Sequence, residues 1–211
     1  MRRQSNEMRR RQNTKQILNV AQSLLIRSGY VAATMDRIAT ASSLTKGAVY
    51  FYFPSKEVLV GELIERAKKS FFDPSLELLN QNELGVTERF VNYFNFAGAL
   101  VENHDMYLLP LTLSIQQDAI PESLFEQIKD LYKRTHRALT EAVAEGQRSG
   151  EFATKLPAEV HASQIIATMD GMLHEWGRRS NEISGREFMR AARTGILASL
   201  QDESLQVDSE T

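Results

Sequence analysis

The chain has 211 residues, a quarter of them charged, a formal net charge of -2 and no cysteine. This length allows one or two domains with a real core, and the missing thiols exclude disulfides, thiolate chemistry and cysteine-based zinc sites. No apolar run reaches the roughly 18 residues of a membrane span, and the polar, basic N-terminus has no hydrophobic segment behind it, so a cytoplasmic protein without a signal peptide is expected.

The small net charge hides an asymmetry. Through Lys56 there are 10 Lys and Arg against 2 acids, whereas the remainder carries 15 against 25. Residues 1–12 hold Arg2, Arg3, Arg9, Arg10 and Arg11 with almost nothing apolar, and read as a flexible basic arm that waits for something negative. The first helix is predicted from about Asn13 to Ser28, with Ile17, Ala21, Leu24 and Leu25 inward, and Gly29 ends it.

Two short helices follow. Thr34 is an N-cap for Met35, Ile38 and Ala39, and Ser42-Ser43-Leu44 interrupts that apolar face. Thr45 caps a second helix from Lys46 to Phe53, which Pro54 stops. Val49 and Phe53 share a face with Leu44 and pack on the preceding helix, which leaves Lys46, Gly47 and Tyr50 pointing outward. A short helix offering a cation, a glycine and a phenol near its N-terminus suits a DNA major groove. Ser55 caps the next helix, where Lys56 sits in the first turn against the macrodipole, a conflict that a bound phosphate relieves. Because Arg27, Arg37, Lys46 and Lys56 lie within helices rather than in a tail, nucleic acid is the favoured partner.

The segment from about residue 12 to 60 resembles the DNA-binding domain of the TetR family of bacterial regulators. The resemblance rests on Ile17-Leu18, Gly29-Tyr30, Thr34, Ile38-Ala39, Lys46-Gly47, Tyr50, Phe53 and Ser55-Lys56-Glu57. The family has Ala-Gly in the bend where this chain has Ser42-Ser43, and a serine is strained if the turn needs a positive φ. The resemblance implies phosphate contacts from Thr34, Tyr52 and Lys56, with Arg11 and Thr45 counted in the same DNA-binding set.

The fourth helix, Ser55 to about Phe72, lines up Leu59, Leu63, Ala67 and Phe71, and Asp73-Pro74 breaks or kinks it. Beyond it, Thr87 to Asn103 shows apolar residues on nearly every side, including Leu100 and Val101, as a buried helix does. A shorter helix spans about Asp105 to Gln117 with Tyr107, Leu111 and Ile115. A long one starts at Pro121, carries Leu124, Ile128, Leu131, Leu139, Ala142 and Val143 inward, and closes near Gly150. Pro157 opens another to about Arg178, and the capping box Ser184-Gly-Arg-Glu187 starts the last, which reaches about Leu200.

The expected architecture is all-α. An arm (1–12) precedes a helix-turn-helix domain (13–60), a helical effector-binding and dimerisation domain (61–201) and a disordered acidic tail (202–211). The last two helices are rich in small residues, which suits a four-helix bundle between two subunits. Gly171, Phe188, Ala192, Gly195 and Ile196 are the residues expected at that interface, and the resemblance implies a dimer through the last two helices. Phe94, Tyr107, Gln116, His136 and Met169 are the groups expected around a small, mostly apolar effector, with ordinary core packing as the alternative. His174-Glu175 lacks the second histidine of HExxH, the other histidines show no metal spacing, and no nucleotide or nucleophile motif is present, so neither an enzyme nor a cofactor is expected. The leading expectation is a homodimeric repressor released from a pseudo-palindromic operator by an effector. The rival is a DNA-bound scaffold that engages a protein partner and has no effector.

Overall fold

All regular structure among the described residues (2–99, 105–179, 182 and 184–204 of the computed structural model, backbone alone for 2–6) is helical. In chain order the helices are α1 (Arg2–Ala32), α2 (Met35–Ala41), α3 (Lys46–Tyr52), α4 (Lys56–Ala67), α5 (Asp73–Leu79), α6 (Val86–Ala99), α7 (Asp105–Ile115), α8 (Glu122–Ser149), α9 (Ala158–Arg179) and α10 (Gly185–Leu200). A π-helical turn, Lys68–Phe72, joins α4 to α5, and a 3₁₀ turn, Gln117–Ala119, follows α7. Leu100 and Val101 of the expected buried helix, and 205–211 of the expected tail, lie outside the described residues.

Contacts divide the chain into two compact units. The first comprises Met1–Lys68 and Asp105–Lys129, and the second Lys69–His104 and Asp130–Thr211. The 28-residue α8 is shared by both.

In the first unit α1 to α4 pack with α7 and the start of α8. Ile17, Ala21 and Leu25 of α1, Ile38 of α2, Val49 of α3, Leu59 of α4 and Leu113 of α7 are fully buried there. Residues 2–12, expected as a flexible arm, form the first turns of α1. No proline or glycine interrupts the chain before Gly29, and Glu7 pairs with Arg11 four residues on at 2.8 Å, the favourable order for a helix. Gly29 does break the helical path, at φ 78° and ψ 173°, a conformation open only to glycine, and one more turn carries α1 to Ala32.

Pro74 does not end the helical run. It occupies the first turn of α5, where no amide is needed, and the π turn ahead of it contains Ser70, whose carbonyl a proline ring four residues on would strike in a regular helix. Ile115 is 65% exposed at the end of α7.

The second unit packs α5 on α6, α6 on α10 and α10 on α9. Helix α6 is one-sided rather than buried all round: Val86, Arg89, Phe90, Tyr93, Phe94 and Ala97 face inward, Asn95 is exposed and Phe96 half-buried. Gly150, at φ 79°, turns the chain out of α8, and Glu151 then caps α6 by accepting the Val86 and Thr87 amides at 2.9 Å each. Those two amides hold the Glu151 carboxyl below its ordinary pKa. Arg89 is 2% exposed; its guanidinium donates to the Leu79 carbonyl at 3.1 Å and pairs with Glu145.

Candidate nucleic-acid interface

Three side-chain caps set the frame of the helix-turn-helix. Thr34 Oγ1 accepts the Arg37 amide at 3.2 Å, Thr45 Oγ1 the Ala48 amide at 3.1 Å and Ser55 Oγ the Val58 amide at 3.1 Å. Between α2 and α3 the chain reverses through Ser43, whose φ of 54° is the left-handed value that strains a non-glycine residue. Ser42 is buried beside it, and Gln16 of α1 donates to the Ser42 carbonyl at 2.7 Å, closing the end of α2.

Helix α3 is thereby fixed by one face and free on the other. Val49 and Phe53 are buried, whereas Lys46 and Gly47 are exposed and Tyr50 is 40% exposed. A Cβ at Gly47 would meet nothing within 4 Å, so the backbone is open to close approach there. The Lys46 ammonium lies 2.8 Å from Asp36, whose hydrogen bond raises its pKa. Phe51 is 78% exposed, the most open aromatic of the helix, and was not singled out from the sequence. Its position, off the Val49–Phe53 stripe, is the signal that marks it.

The remaining residues expected at DNA divide. Arg11, Thr34 and Thr45 are exposed. The Tyr52 hydroxyl accepts from Asn13 Nδ2 at 3.0 Å and keeps its own proton to donate. Lys56 is not directed outward: Nζ donates to the Tyr30 carbonyl at 2.8 Å and lies 3.8 Å over the Tyr30 ring. In this arrangement a carbonyl and an aromatic face receive the cation that the macrodipole opposes. Burial lowers the pKa of this ammonium and raises that of the Tyr30 phenol.

A sequence model of the bacterial regulatory proteins of the tetR family matches residues 17–63, the stretch that carries these caps and α3. The solved MbdR regulator of Azoarcus sp. CIB is 32% identical to the chain, with a TM-score of 0.82, and the match covers 89% of this chain and 98% of that one. The chain belongs to the tetR family. This tetR-family regulator is also 22% identical over 189 residues to the transcriptional repressor DhaR of Mycobacterium sp. (strain GP1), 86% of this chain and 90% of that protein. FadR of Bacillus subtilis, solved in complex with stearoyl-CoA, shares the fold with a TM-score of 0.67 at 18% identity, over 88% of this chain and 98% of that one.

In the regulator, the five residues expected around an effector stand in different surroundings. Tyr107 is buried in the first unit and Met169 in the second. Gln116 accepts the Tyr30 amide at 2.8 Å and lies against Gly29, where a Cβ would come within 2.7 Å of its oxygen. This side chain braces α1, because Gly29 takes Tyr30 out of the helical hydrogen-bond ladder and leaves that amide in need of an acceptor. His136 is half-exposed, with Nε2 3.2 Å from the Glu159 carbonyl and 3.0 Å from Ser163 Oγ. Phe94 borders a cleft between α6 and α10.

Of the residues expected between subunits, Gly171 and Gly195 are exposed with nothing within 4 Å of a Cβ, and Phe188 and Ala192 are half-buried. Ile196 is 5% exposed and belongs to the subunit's own core.

Proposed function

We propose that this regulator is a cytoplasmic, homodimeric repressor that reads a pseudo-palindromic operator through α3 and leaves it when a small effector binds. The observation that carries the reading is the split of α3, with Val49 and Phe53 locked into the module and Lys46, Gly47, Tyr50 and Phe51 open to a partner. Lys46 and the Tyr50 hydroxyl can hydrogen-bond base edges, and Phe51 offers an apolar surface to a thymine methyl group. Thr34 and Tyr52 flank this face as phosphate contacts, and Lys56 keeps the α1–α4 corner in shape behind it. Repression is supported by relatives such as DhaR that are named repressors. Effector release is supported by the stearoyl-CoA held by FadR, a regulator of the same fold.

Dimerisation is supported by the uncovered glycines of α9 and α10. A pair of reading heads must enter successive major grooves roughly 34–36 Å apart, so a second subunit supplies what one α3 cannot. The α3 assignment is tested by fluorescence anisotropy on a duplex selected from a random pool. Tyr50→Ala should weaken the selected duplex about tenfold, and an unrelated duplex much less, as the loss of one base contact does. Equal affinity of wild type and Tyr50→Ala for the selected duplex would contradict it.

A further inference from the structure

In the second unit α6 and α10 enclose a cleft of about 360 Å³, within the lower range of small-molecule sites. Its apolar lining is Gly98, Ala99 and Met189, with the all but fully buried Phe94 behind them. A Cβ at Gly98 would lie 3.1 Å from Met189 Cγ, so the glycine is what lets the Met189 side chain lie close to α6. Its rim carries Arg186, Arg190 and Arg193, all contributed by α10.

These three cations are spaced four and three residues apart, an arrangement that disfavours the helix unless an anion joins them. Arg186 also stands in the first turn of α10, where the macrodipole opposes a cation. Arg193 donates to Asn95 Oδ1 at 2.6 Å, a neutral partner, and neither Arg186 nor Arg190 has a carboxylate partner among the described residues. At about 100° per residue the three arginines lie on the flank of α10 roughly opposite Phe188 and Gly195, so a subunit seated on those residues leaves the cleft open.

We propose that this cleft binds a small amphipathic anion, with its carboxylate or phosphate held by Arg186, Arg190 and Arg193 and its apolar body lying on Gly98, Ala99 and Met189. The planar guanidinium fork matches either head group, and the lining gives the rest of the molecule an apolar bed. The claim concerns binding alone and stands whether or not the ligand moves the protein off DNA.

The test uses the full chain labelled with ¹³C at the methionine methyl groups, with the Met189 resonance assigned from Met189→Leu. The probes are octanoate, octyl phosphate, octylamine and inorganic phosphate, each below its micelle-forming concentration. Octanoate or octyl phosphate should shift the Met189 methyl resonance saturably, and the tighter of the two identifies the head group. Octylamine and inorganic phosphate should not shift it, and Arg186→Gln/Arg190→Gln should weaken the binding at least about tenfold, the loss of two charged contacts. The proposal is overturned if neither amphipathic anion shifts Met189, if octylamine or inorganic phosphate does so equally well, or if the double variant binds as tightly as wild type.

Discussion

Gln116→Ala probes the corner on which the orientation of α1 depends. Gly29 leaves the helical path, so the Tyr30 amide has no acceptor in its own helix, and Gln116 Oε1 takes it at 2.8 Å. The Tyr30 carbonyl is meanwhile held by Lys56 at the same distance, 2.8 Å. Truncation removes one hydrogen bond and leaves a largely buried donor without its acceptor, which costs about 1–3 kcal/mol. Gln116 is only half-buried, so water reaches part of the vacated space, and the low end of that range, about 1–1.5 kcal/mol, is expected. Urea unfolding should show this loss with an unchanged m-value. Hydrogen exchange should show the Tyr30 amide opening about tenfold faster, the equivalent of about 1.4 kcal/mol. Gln116→Glu, whose carboxylate accepts the same amide, should restore most of the protection. If Tyr30 exchanges in Gln116→Ala as it does in wild type and stability is unchanged, Gln116 is not the brace described here.

Three further outcomes follow from local geometry. Ser43→Gly should stabilise the first unit by about 0.5 kcal/mol in urea unfolding, because relief of a left-handed residue (about 1–2 kcal/mol) outweighs the extra freedom of the unfolded chain. Arg89→Ala should destabilise by about 3 kcal/mol in the same assay, since it empties a buried site and strips Glu145 and the Leu79 carbonyl of their partner. Burial pushes the His161 imidazole below its ordinary value, with Thr154 Oγ1 2.8 Å from Nε2. The unfolded chain therefore takes up the proton first, so stability is full above about pH 6.5 and declines as the pH falls, and His161→Gln should flatten that decline in urea midpoints taken from pH 8 to 5.

The helix-turn-helix was legible because its signals are local. Thr34, Thr45, Ser55 and Ser184 are caps whose side chains accept an amide three residues on, and the structure shows each doing so. Gly29 and Gly150 mark turns at positive φ, and the strain anticipated in the serine bend falls on Ser43. What was not legible depends on partners distant in sequence. Gln116 meets Tyr30 across 86 residues and Arg89 meets Glu145 across 56, and no periodicity announces either contact. Arg89 follows the spacing of the buried face of α6, so only its charge concealed it. Lys56 was legible as a cation in an unfavourable place, but the sequence could not say that the Tyr30 carbonyl and ring would receive it.

The central claim is that two copies of α3 read a two-fold DNA sequence. Selection of bound duplexes from a random pool by the purified full chain, followed by hydroxyl-radical footprinting of the enriched sequence, tests it most directly. The account predicts an inverted repeat with two protected half-sites whose centres lie about one helical turn apart. It also predicts a preference of at least about a thousandfold over unrelated DNA at fixed salt, lost when Lys46 and Tyr50 are both replaced by alanine. A pool that shows no enrichment, or an enriched sequence bound as well by that double variant, would contradict the account.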